Sequence, residues 1–91
     1  MLIYAQAMYM TITENLAVSK DRVIKFFSLQ EDVIKTVDGF NFEDCQIKLT
    51  HSEGKLRPFL VERTILSIEG PEEQVSVIYK RFFLNFLSAG G

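Results

Sequence analysis

From Phe59 to Leu87 the chain carries more apolar surface than one small core can use. Between Phe59 and Ile68 the apolar residues fall on both faces of a strand: Phe59, Val61 and Ile65 on one, Leu60, Leu66 and Ile68 on the other. Between Val75 and Leu87 they run almost all the way round a helix, through Val77, Ile78, Tyr79, Phe82, Phe83, Leu84 and Phe86. A half-buried strand alternates, and a surface helix shows one stripe. Both departures predict surface that something else covers, with a second copy of the chain as the favoured cover.

The chain has 91 residues, which predicts one domain spanning 1–91. A chain this short has a limited core. Eight Phe and three Tyr, with no Trp, make bulky aromatics a large part of it. The net charge of −2 argues against a nucleic-acid-binding surface, which is usually basic. The small clusters Lys20, Arg22, Lys25 and Lys55, Arg57 read as solvated surface. One cysteine, Cys45, excludes an intramolecular disulfide and a disulfide-stapled scaffold. The apolar N-terminus lacks the basic region of a signal peptide. No apolar run approaches the ~20 residues of a membrane span. The expectation is a soluble, cytoplasmic protein.

Residues 2–12 read as a strand with apolar residues on both faces: Tyr4, Met8, Met10 and Ile12 against Ile3, Ala5, Ala7 and Tyr9. Residues 13–18 read as a connection. Ser19 is a helix N-cap, with Asp21 in the first turn. Val23, Phe26, Phe27, Gln30, Val33, Ile34 and Val37 then recur at helical spacing, which predicts a helix over 19–38 ended by Asp38-Gly39. Residues 44–51 alternate as a half-buried strand, 52–55 form a turn, and 59–69 form the next strand. Pairing Leu49 with Val61 sets Lys48 opposite Glu62 and gives the favoured register. Gly70-Pro71-Glu72-Glu73 starts a helix that runs to about 88.

The expected fold class is α+β: a small antiparallel or mixed sheet with two helices on one face, in the order β-α-β-β-α. That order resembles a ferredoxin-like βαββαβ fold lacking its last strand. A missing strand leaves an open edge, and open edges invite pairing. The candidate interface residues are Tyr4, Met8, Met10, Leu60, Leu66, Ile68, Phe82, Phe83 and Phe86.

No catalytic, cofactor or metal site is assigned. His51 and Cys45 share a strand face but lie ~20 Å apart at ~3.3 Å per residue, too far to share a metal. Cys45 reads as a buried small hydrophobe and His51 as exposed at a strand end. Glu72 and Glu73 point apart on a helix and complement its dipole. Glu62 and Arg63 are the unusual polar pair of the last strand. Arg63 is a candidate anion or partner contact; alternatively it reaches the sheet edge while Glu62 pairs with Lys48. The leading function is a non-enzymatic association module forming a homo-oligomer, a dimer first, with a protein partner as a further possibility. The alternative is a regulatory domain that binds a small molecule at a dimer seam. A domain that binds RNA or single strands would need exposed aromatics beside basic residues, for which Tyr4, Tyr9 and Arg63 are the candidates.

Overall fold

The computed structural model describes residues 8–56 and 59–88; for 53–56, 59–61, 87 and 88 it describes the backbone path alone. The elements are β1 (Tyr9–Leu16), α1 (Lys20–Ser28), β2 (Val33–Lys35), β3 (Gly39–Phe42), β4 (Cys45–Leu56), β5 (Phe59–Pro71), α2 (Glu72–Phe83) and a π-helical turn, Leu84–Ser88. The five strands form one sheet in the order β1-β5-β4-β3-β2, every neighbouring pair antiparallel. The class is therefore α+β. The element order is β-α-β-β-β-β-α, in place of the expected β-α-β-β-α.

The largest departure is at 19–38. Ser19 caps α1 as its sequence implies, its hydroxyl accepting from the Arg22 amide at 3.4 Å. The helix stops at Ser28, ten residues early. Gln30 turns back and its side-chain amide donates to the Phe26 carbonyl, taking one of the acceptors the helix end leaves open. The β-branched Val33 and Ile34 then pair with Phe42 and Asn41, and the chain reverses between Lys35 and Phe40. Asp38-Gly39 belongs to this hairpin turn. A side chain on Gly39 would run into the Ile47 carbonyl.

The strands are longer than expected. β1 continues to Leu16, so 13–16 is strand and not connection; Tyr4 lies outside the described residues. β4 continues through 52–55, where a turn was expected. The register also differs. Leu49 faces Leu66, Ile47 faces Ile68, and Lys48 faces Ser67. Glu62 lies opposite Glu53, so the expected Lys48 partner is replaced.

One face of the sheet carries the core. Phe40, Phe42, Cys45, Ile47, Leu49, Leu66 and Ile68 pack against Val23, Phe26 and Phe27 of α1 and Val75, Ile78 and Phe82 of α2. Both helices therefore lie on the same face. Their contact is aromatic: the Phe27 and Phe82 rings stack at 5.7 Å, and Phe26 meets Phe82 edge-on at 5.6 Å. The other face is largely polar, with Thr11, Thr13, Gln46, Lys48 and Thr50 exposed. Alternation along β4 produces this split.

Candidate interaction edge

β1 and β2 are the two edges of the sheet. β2 has three residues, whereas β1 has eight. Among the described residues no strand lies on the outer side of β1.

Two observations fix which backbone groups point outward. The Glu72 amide donates to the Met8 carbonyl at 2.7 Å, extending the β1–β5 register by one position. Tyr9 lies opposite Pro71, which has no N–H to give. In an antiparallel pair, positions that exchange hydrogen bonds alternate with positions that do not. Met8, Met10, Ile12, Glu14 and Leu16 therefore turn their backbone groups toward β5. Tyr9, Thr11, Thr13 and Asn15 turn theirs to the open edge. The Asn15 carbonyl also takes a long 3.5 Å contact from Arg63 Nη2.

Edge strands are commonly blunted by Lys, by Pro, by bulges or by inward-facing charge. Tyr9–Leu16 contains no Lys, Arg or Pro, and its pairing with β5 runs without interruption from Tyr9↔Pro71 to Leu16↔Thr64. Its single charge, Glu14, is of the inward-facing kind, and on the helix side it accepts from the Tyr79 hydroxyl at 2.8 Å, which meets its demand within the chain. That hydrogen bond pushes the Tyr79 hydroxyl above its ordinary pKa, with burial adding to the effect. Tyr79 in turn packs against Phe83 at 6.0 Å between ring centres. Phe83 is 43% exposed, and Met8 and Tyr9 at the start of β1 are 68% and 69% exposed.

The other anticipated residues fall as follows. Leu66, Ile68 and Phe82 are core residues of the single chain and are not available to a partner. Leu66 and Ile68 lie on the helix side of β5, so the strand face expected to need an outside cover is the one the helices cover. Met10 and Phe86 are half-buried against the same core. The Leu60 side chain lies outside the described residues. Arg63 reaches the edge strand, its Nε donating to Asn15 Oδ1 at 2.7 Å. Glu62 is exposed near His51, Ser19, Lys20 and Asp21, around a shallow cleft of about 190 Å³. Cys45 is fully buried, and burial pushes its thiol pKa up. Among the described residues no three His, Cys, Asp or Glu side chains cluster as a metal site. No helix among them is long and apolar enough to cross a membrane.

The sequence reading passed over Thr11, Thr13, Glu14 and Asn15. The alternation of Met10, Ile12 and Leu16 with Thr11 and Thr13 is a strand signal. Glu14-Asn15 interrupts its apolar half and reads as a loop. The partner that makes Glu14 tolerable, Tyr79, is 65 residues away.

Comparison with protein-family models, curated proteins and solved structures gives no match.

Proposed function

We propose that this domain is a non-enzymatic association module that assembles with a second copy of itself through the open edge of β1. The observation that carries this reading is the eight-residue edge strand, whose own sequence has no Lys, Arg or Pro and whose outward backbone groups from Tyr9 to Thr13 form a row, with Arg63 reaching only its Asn15 end. Such an edge is a template for strand addition. Exposed Met8, Tyr9 and Phe83 beside it supply apolar area. The mass in solution, followed by light scattering across a range of concentration, tests the proposal. A dimer is expected; a monomer at every concentration defeats it.

A second reading, a domain that binds a small regulatory molecule, draws on a cleft of about 210 Å³ between α1 and the β2–β3 turn. Lys20 and Lys35 flank apolar Ile24, Phe40 and Leu49 there. This volume lies below the usual ~300 Å³ for a ligand pocket, and the cleft sits beside β2, not beside β1. A thermal shift with small carboxylates would support this reading.

A further inference from the structure

The open edge of β1 has its outward residues arranged symmetrically about Ile12: Tyr9 and Thr11 on one side, Thr13 and Asn15 on the other. We infer that two copies of the chain join their β1 strands antiparallel across a two-fold axis at Ile12, uniting two five-stranded sheets into one of ten strands. This rests on the self-association reading and gives that contact its register.

In a two-fold contact, residue i meets j and j meets i. Hydrogen bonding requires outward residues to face outward residues. With the axis at Ile12, Thr11 faces Thr13 and Tyr9 faces Asn15, so all four outward residues described in β1 are used, the Asn15 carbonyl exchanging its long 3.5 Å contact with Arg63 Nη2 for the second strand. An axis at Thr11 or Thr13 uses three of these four described residues. An axis at Glu14 sets that carboxylate against its own copy, and like charges directly opposite are destabilising. The axis at Ile12 separates the two Glu14 residues by four positions, about 13 Å along the strands. Each Glu14 then lies opposite Met10, with its carboxylate held by Tyr79.

Side chains agree with this register on both faces. On the polar face Thr meets Thr, a favourable cross-strand pair. On the helix side Ile12 meets Ile12, and the exposed Met8 meets half-buried Leu16 at each end. A specific interface needs roughly 1,000 Å² or more, more than a strand pair alone supplies. α2 packs on β1 as well as β5, so both copies of Phe83 flank the seam and add apolar area.

The test uses cysteines at two exposed positions, Thr11→Cys and Thr13→Cys, each alone and as a mixture, under mild oxidation. Facing positions of a hydrogen-bonded pair lie about 5.5 Å apart at Cα, within disulfide reach. Identical positions would be roughly 9 Å apart, beyond it. The expected result is a covalent dimer in the mixture, containing one chain of each variant, and none from either variant alone. Buried Cys45 leaves the unmodified protein as the uncrosslinked control. Crosslinking of either variant alone, with the mixture adding no mixed species, moves the axis and overturns the register while self-association stands. A dimer that no variant crosslinks overturns the register about Ile12. A monomeric unmodified protein overturns both readings. Amide exchange in the unmodified protein gives a check without substitutions: the Thr11 and Thr13 amides are expected to be protected, and rapid exchange in a dimer defeats the register.

Discussion

Thr64 is a buried polar side chain in an apolar setting, and its hydroxyl donates to the Val18 carbonyl at 2.7 Å. This bond ties β5 to the connection between β1 and α1. Thr64→Val keeps the shape and removes the donor, leaving the carbonyl unpaired. An unpaired buried group costs about 1–3 kcal/mol, and urea unfolding is expected to show a loss in that range. Arg81 acts at the other side of the molecule. Its Nη1 donates to Asp32 Oδ1 at 2.8 Å and to Gln30 Oε1 at 3.3 Å, with the guanidinium 5.4 Å from the Phe42 ring centre. The Arg81 hydrogen bond holds the Asp32 carboxyl below its ordinary pKa against an opposing effect of desolvation. A depressed folded-state pKa gives stability that is present at neutral pH and lost as pH falls through that pKa. Both groups are partly exposed, so the contribution is modest. Asp32→Asn is expected to lower stability slightly at neutral pH and to match the unmodified protein once the carboxyl is protonated. Urea midpoints from pH 7 down to the acid limb measure this; a pH-independent difference removes the ion pair as its cause.

At the scale of elements, local signals were readable where one partner was enough. The N-cap at Ser19, the Gly-Pro-Glu-Glu start of α2 and the alternation of 45–51 all appear in the structure. The reading failed at 29–38, where the same apolar spacing serves a helix or a turn followed by a strand. Val33 and Ile34 take the strand because Phe42 and Asn41 are there to pair, information that lies beyond the helical window. The β4–β5 register was misread for a related reason. Opposite charges at Lys48 and Glu62 suggested one pairing, but bringing Ile47 and Leu49 against Ile68 and Leu66 under the helices required another. Close approach at Gly70 helps hold that register. A Cβ there would lie 2.8 Å from both Cys45 Cα and Cys45 Sγ. Gly70→Ala is therefore expected to push β5 from the start of β4 and cost about 1–3 kcal/mol, as overpacking does. Gln74 would feel the shift, since its Oε1 accepts from the Asp44 amide at 2.9 Å. An unchanged denaturation midpoint would mean that the strands part without cost.

At the scale of the whole molecule, the helices saturate one face of the sheet, the other face is largely polar, and the remaining backbone demand lies at its margins. Beyond Ser52 and Arg63, β4 and β5 continue as a two-stranded ribbon to Leu56 and Phe59, with no third strand described beside it. Of the apolar surplus in the sequence, Leu66, Ile68 and Phe82 enter the single-chain core, while Val77, Phe83 and Leu84 stay exposed on the last helical segment, as Met8 and Tyr9 do at the start of β1. Thr13→Pro separates the demands of that edge from those of the fold. The Thr13 amide points away from β5, so replacing it removes no β1–β5 hydrogen bond, and Pro is tolerated on edge strands in this orientation. Ile12 before it is already extended, as a residue preceding Pro prefers. The substitution does remove a donor from the proposed seam and places a ring where the second strand would lie. For a dimer, stability rises with protein concentration. The unmodified protein is expected to show a Tm that climbs on concentration, and Thr13→Pro a lower mass and a Tm independent of concentration. Retention of both dimer mass and concentration dependence in the folded variant would take the seam away from β1.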